Sequence, residues 1–340
     1  WSMHRIFHFT RMQQNGSTLL PSRGAGTLAY GYGGPVDSLS DRKHSFEQAD
    51  FKSVSVTIPV PWGTIAAKAW GNPINAPVLA LHGWQDNAGG FDNLIPLLSK
   101  EMYIVAMDWP GHGLSSKRPY HYNTFDYVSD IRYVADSLKW KSFSLLAHSM
   151  GAGAASWFAA ALPEQVKGMV LLDGIGFHSA EITDIPRQMG RALLALNQDT
   201  EVKSKVHPTW EAIVARVLEG HAPLDDNFDV SCAAVLAVRG AKAVEGGYEF
   251  TRDPKLKMPS LLRIPHELNI AFLQQIRCQT LVVLPTHGKW YELMRKTISS
   301  VNNTKIHTAE VPGGHFVHMY NPGTVSQLIN DFMLSKNTEM

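Results

Sequence analysis

A serine, an acid and a histidine fall in that order along the chain, each just beyond an apolar run, and together they could carry acyl transfer. Ser149 sits in Ala147-His148-Ser149-Met150-Gly151, which closes the run Phe143-Ser144-Leu145-Leu146 and opens a stretch of small residues with helical character. That is the context of a sharp strand-to-helix turn that lifts a serine hydroxyl clear of regular structure. A hydroxyl is a weak nucleophile at neutral pH, so it needs a base beside it and backbone N–H donors facing the charge that develops. Small residues two before and two after the serine keep such a turn free of clashes. Gly151 meets that need, and Ala147 adds one methyl where the pattern has glycine. A bare match of this length also occurs as an N-cap serine after a core strand, so the surrounding residues must decide.

The base is read from position. Val311-Pro312-Gly313-Gly314-His315 follows the last expected strand and precedes the terminal helix, which makes His315 the general base. His318 is read as the start of the following helix face. The N–H of Met150, next to the nucleophile, and that of Trp84, in the loop His82-Gly83-Trp84-Gln85-Asp86-Asn87, are the expected oxyanion donors. His82 itself reads as a packed structural histidine. Asp108, in Asp108-Trp109-Pro110-Gly111-His112-Gly113, is read as a turn-fixing side chain, because an acid ahead of the serine breaks the expected serine, acid, histidine order. The loop Pro285 to Glu292 contains no aspartate, so the acid is assigned to Asp173, at the end of Met169-Val170-Leu171-Leu172, with Glu292 as the alternative and no acid as the third case. An imidazole without its acid partner loses on the order of 10⁴ in turnover in serine proteases.

These residues need a scaffold of alternating strands and helices. Val54 to Ile58 and Thr64 to Trp70, around Pro61-Trp62-Gly63, read as an opening hairpin. Val78 to Leu81, Tyr103 to Met107, Phe143 to Leu146 and Met169 to Leu172 are almost continuously apolar, as buried parallel strands are. Phe125 to Trp140 carries apolar residues at helical spacing, so strand and helix alternate. The rhythm stops after Asp173 and resumes at Thr280 to Leu284 and Lys305 to Val311, with a final helix over about 324–334. The domain reading is a tail over 1–50, a core over 51–177 and 270–340, and an inserted lid over 178–269 with helices near 187–196, 209–218 and 232–238. Trp210, Phe228, Tyr248 and Phe250 of that insertion are candidates to line an apolar acyl site, while each taken singly reads first as a core residue.

Composition narrows the partners. Of the 340 residues 44% are hydrophobic, enough for a large core, and 31 Lys plus Arg against 30 Asp plus Glu leave a net charge of +1. Such a balance points away from nucleic acid and toward a small uncharged molecule. Cys232 and Cys278 alone make no disulfide framework and suggest a reducing, cytoplasmic compartment. The longest nearly apolar stretch, Gly151 to Leu162, is well short of the roughly 20 residues of a membrane span. Met3 to Val36 has no acidic residue and several arginines, which reads either as a mitochondrial transit peptide or as a disordered tail; its Gly, Ser and Pro content favours the tail. Trp1 and Ser2, ahead of Met3, are left out of the fold reasoning.

Taken together, Pro61-Trp62-Gly63-Thr64-Ile65-Ala66-Ala67-Lys68-Ala69-Trp70-Gly71, Leu81-His82-Gly83-Trp84-Gln85-Asp86-Asn87-Ala88 and Val105-Ala106-Met107-Asp108-Trp109-Pro110-Gly111-His112-Gly113-Leu114-Ser115-Ser116 resemble the α/β-hydrolase superfamily, and within it the serine hydrolase-like proteins. The similarity continues through the serine turn and Leu172-Asp173 to Val311 to Met319, so it spans about 51–335. It implies an α/β-hydrolase fold, mostly parallel, with flanking helices and a helical lid over a Ser-acid-His site. The expected reaction is cleavage of a small uncharged carboxylic ester through an acyl-enzyme on Ser149, with no metal or organic cofactor. A dehalogenase or epoxide hydrolase on this fold would need a carboxylate at position 149. The competing reading is a ligand-binding protein of the same fold that has lost efficient turnover.

Overall fold

The computed structural model describes residues 52–196 and 205–335; the tail expected over 1–50 lies outside the described residues. In chain order the strands are β1 (Val54–Val60), β2 (Gly63–Trp70), β3 (Ala76–Leu81), β4 (Met102–Met107), β5 (Phe143–His148), β6 (Val166–Leu172), β7 (Ser179–Ala180), β8 (Ala241–Val244), β9 (Gly247–Phe250), β10 (Ile264–Pro265), β11 (Gln279–Pro285) and β12 (Ile306–Val311). The helices are α1 (Thr124–Ser137), α2 (Met150–Ala161), α3 (Ile185–Leu196), α4 (Trp210–His221), α5 (Val230–Gly240), α6 (His266–Leu273), α7 (Tyr291–Val301), α8 (Val317–Tyr320) and α9 (Pro322–Ser335).

An eight-stranded sheet runs in the order β1-β2-β4-β3-β5-β6-β11-β12. The β1–β2 hairpin and the β2–β4 pair are antiparallel, and every pair from β4 to β12 is parallel. The apolar runs belong to strands buried on both faces. Because successive side chains point to opposite sides, Leu79, Leu145, Leu171 and Val282 join Ile131, Val134 and Phe158 in one core layer. Their neighbours Ala80, Leu146, Val170 and Val283 join Phe91, Ile95, Val325 and Ile329 in the other. The Ala147 methyl, the departure noted in the serine turn, lies fully buried in the first layer, so it fills core volume at no visible cost.

Between the adjacent strands β6 and β11 the chain makes its long excursion. Helices α3, α4 and α5 occupy the positions expected for them. Val214 and Val217 of α4 pack with Ala233 and Leu236 of α5, and with Phe316 and Met319 beyond β12. The segment also carries short strands. β8 and β9 form an antiparallel hairpin, and β7 pairs with β10 in parallel. The hairpin turns at Glu245 and Gly246, the latter with φ of 83°; Gly247 opens β9 with φ of 141°, and a β-carbon on it would lie 2.0 Å from the His207 carbonyl oxygen. Among the described residues no helix is long and apolar enough to cross a membrane.

Close approach of α2 to β3 sets the serine turn. A β-carbon on Gly151 would sit 2.4 Å from the Leu81 carbonyl oxygen and 2.8 Å from that of His82, contacts that only backbone movement relieves. Gly151→Ala is therefore expected to cost about 2 kcal/mol or more and to lower the melting temperature by about 4 °C or more, measured by thermal unfolding. An unchanged melting temperature would show that helix and strand have slack at this contact.

Candidate active site

The end of β5 delivers Ser149, whose backbone adopts φ 52° and ψ −117°. A non-glycine residue with positive φ is strained and persists only where its surroundings hold it. Here the Ser149 N–H donates to the Leu172 carbonyl at the end of β6, 3.1 Å away. Asp173, the residue after Leu172, repeats the device. Its φ is 44°, and its N–H donates to the Val283 carbonyl of β11 at 3.1 Å. Two neighbouring strands thus release their first loop residue through the same kind of turn, each tied to the next strand along. Gly174 fits between them, since a β-carbon there would meet the Ser149 carbonyl oxygen at 2.9 Å.

Asp173 and His315 are both buried, and the His315 Nδ1–H donates to Asp173 Oδ2. A carboxylate only accepts, so the bond fixes the tautomer and leaves Nε2 as the lone-pair nitrogen. Burial pushes the His315 imidazole below its ordinary value, and His148 nearby pushes the same way, while the Asp173 hydrogen bond opposes both. The Trp290 ring meets His315 edge to face at 4.7 Å. Ser149, Asp173 and His315 all line one cavity of about 570 Å³. Glu292, the alternative acid, is exposed in the first turn of α7 and is not among the residues lining that cavity.

Met150 and Trp84 line the same cavity. Among the described residues neither backbone N–H has an acceptor. Unpaired donors are what a developing oxyanion requires. The Trp84 indole N–H, by contrast, donates to the Leu256 carbonyl at 3.0 Å and ties this loop to the insertion. His82 is a structural histidine: its Nδ1–H donates to the Gly83 carbonyl at 2.7 Å, and its Nε2 accepts from the Trp109 N–H at 3.1 Å. Asp108 fixes its turn by accepting from the N–H groups of Ala88 and Leu114, each at 2.8 Å, and by pairing with Arg239 of α5 at 2.8 Å. His318 lies on α8 and is buried against the His148 ring, with ring centres 4.4 Å apart.

The backbone around His315 is gripped by residues that sequence reasoning passed over. His148 Nε2–H donates to the His315 carbonyl at 2.9 Å, and the next N–H, that of Phe316, donates to Asp225 Oδ2 at 2.7 Å. Both polar atoms of one peptide unit are therefore held by side chains, one from the serine turn and one from the insertion. The Gly314 N–H donates to the Tyr320 hydroxyl at 2.6 Å. Behind His148 stands Asp86, which accepts from His221 Nε2–H at 3.0 Å and faces His148 Nδ1 at 3.5 Å. Burial alone would raise the Asp86 carboxyl, but the contacts with His148 and His221 outweigh it and hold the group well below the usual carboxylate range. His148 and Asp86 were visible inside quoted motifs, whereas His221 and Asp225 come from the insertion, where no spacing points to them.

The insertion aromatics follow the core reading rather than the acyl-site one. Trp210, Phe228, Tyr248 and Phe250 do not line the cavity. Phe228 stacks on His221, Trp210 meets Tyr248, and Phe250 lies under the Arg252 guanidinium. Phe228, Trp210 and Phe250 belong to the small core that α4 and α5 share with Phe316 and Met319, and the insertion's part of the cavity wall includes aliphatic residues such as Leu256, Met258 and Ile264. Among the described residues no cluster of three or more His, Cys, Asp or Glu could hold a metal ion.

The alpha/beta hydrolase fold family matches residues 76–322 of the chain. A serine hydrolase-like protein of Danio rerio is 37% identical over 288 residues, covering 81% of this chain and 87% of the relative. The chain belongs to the α/β-hydrolase family, among the serine hydrolase-like proteins. Serine hydrolase-like protein 2 of Homo sapiens is 35% identical, covering 81% of this chain and 92% of that one. The crystal structure of a hypothetical protein from Pseudomonas aeruginosa superposes with a TM-score of 0.77 at 33% identity, covering 82% of this chain and 99% of that one.

Asp225→Ala removes the acceptor of a buried N–H, so we expect a loss of about 1–3 kcal/mol in urea unfolding. Asp225→Asn keeps a side-chain oxygen and should recover part of it. Equal loss in both variants would mean that the carboxylate charge, not the hydrogen bond, holds the loop.

Proposed function

We propose that this hydrolase cleaves carboxylic esters through an acyl-enzyme formed on Ser149, with His315 as general base and acid and Asp173 as its orienting carboxylate. The observation that carries the reading is the buried Asp173–His315 hydrogen bond, opening on the same cavity as a serine held at positive φ. As the Ser149 oxygen attacks the ester carbonyl, its proton passes to His315 Nε2, and the N–H groups of Met150 and Trp84 receive the oxyanion. Collapse of the intermediate breaks the bond to the leaving alkoxide, which takes the proton back from His315. Water, deprotonated by the same nitrogen, then releases the carboxylic acid and restores the serine. On this reading the segment 178–269 serves as a lid, and its Leu256, Met258 and Ile264 line the same cavity as Ser149 and His315. The competing reading, a fold that binds without turning over, is motivated by a missing acid, and the Asp173 contact counts against it.

Hydrolysis of p-nitrophenyl butyrate tests this. Ser149→Ala should abolish turnover while leaving the melting curve of the protein unchanged, and Asp173→Asn should lower kcat on the order of 10⁴-fold. Retained hydrolysis in the Asp173 variant with loss in Glu292→Gln would transfer the acid to helix α7. His315 must be neutral to accept the proton, and burial favours its neutral form. The acid limb of kcat/KM is therefore expected to lie below pH 6.5, with activity retained as pH rises above it. A limb above that value would assign the titration to another group.

A further inference from the structure

Resting on the ester hydrolase reading above, we infer that the substrate carries an anionic group, joined to the reacting ester through an apolar stretch and docked at the cavity mouth on Lys257 and Arg263. Both side chains line the cavity and are exposed, which places them at its rim. Among the described residues neither makes an ion pair. The carboxylates that line the cavity, Asp86 and Asp173, are both deep and held by histidines. Among the described residues lining the cavity, no acidic side chain stands at the mouth beside them.

The positive groups also crowd one another. The Lys257 ammonium is pushed down first by burial and then by Arg252 and Arg216, and the His178 ring first by burial and then by His315 and Arg263. Each rim cation thus has a positive neighbour that repels it or that it repels, and an anion docked beside it relieves that repulsion. The chain's net charge is only +1, so two unpaired cations on one rim stand out against a balanced whole. The same segment supplies Leu256, Met258 and Ile264 to the wall below. That combination suits an apolar spacer ending in a negative group. The uncharged substrate expected from overall composition is replaced by an anionic one, because a whole-chain sum averages over charges that folding gathers.

The anion could belong to the acyl half, as a distal carboxylate, or to the leaving group, as a phosphate. Two substrate pairs separate these sources: mono-p-nitrophenyl adipate against its methyl ester, and hexanoyl-coenzyme A against S-hexanoyl-N-acetylcysteamine. The expected result is a kcat/KM at least tenfold higher for the anionic member of one pair, a ratio that falls with added NaCl. In the double variant Lys257→Gln, Arg263→Gln that ratio should drop toward one. Neutral members turned over by the wild type but not by Ser149→Ala, with ratios of one or less in both pairs, would overturn the inference and leave the hydrolase reading standing. If no member is turned over, the hydrolase reading fails. Dissociation constants of the same four compounds for the Ser149→Ala protein, from calorimetry, then decide the inference by the same ratios.

Discussion

The hydrogen bond between Asp173 and His315 organises this molecule. β6 and β12 are separated in the sheet by β11, so the loop ends bearing the acid and the histidine start about two strand spacings, or roughly 10 Å, apart. For the imidazole to reach Asp173, the loop after β12 must lean back across the end of β11 and stay there. It stays because the peptide unit following His315 is held at its carbonyl by His148 and at its N–H by Asp225. Neither contact involves the imidazole ring, so the ring's nitrogens remain for Asp173 and the cavity.

The insertion takes part in this arrangement. His221 at the end of α4 pairs with Asp86, Asp86 faces His148, and His148 holds the His315 carbonyl. Asp225, four residues beyond His221, completes the grip from the other side. The same segment supplies the aliphatic wall and the cationic rim. A movement of the insertion would therefore be felt at the His315 backbone as well as at the mouth of the cavity.

Much of this was legible in sequence for physical reasons that can be named. The parallel strands announce themselves as short apolar runs because both faces are buried, and the serine turn because backbone contact at Gly151 demands a small residue. Asp173 could be reached by asking which strand ends carry an acid once the loop at 285–292 was seen to hold no aspartate. The contributions of Asp225 and His221 were hidden, since they reach the site only through folding across long sequence separations. The β8–β9 hairpin was hidden because its two-residue turn, Glu245-Gly246, carries a single glycine and Ala241-Lys242-Ala243-Val244 alternates only in part, a weak signal beside the stronger helical runs. The rim cations were hidden by charge balance, and the aromatic residues of the insertion were drawn away from the cavity by one another.

Labelling with a fluorophosphonate probe, followed by peptide mass mapping, tests the central claim most directly, because the reagent forms a stable adduct only with a serine that a neighbouring base has activated. The account predicts one adduct, on Ser149, formed far more slowly in Asp173→Asn. A folded wild-type protein that takes up no probe, or that carries it on a different residue, would contradict it.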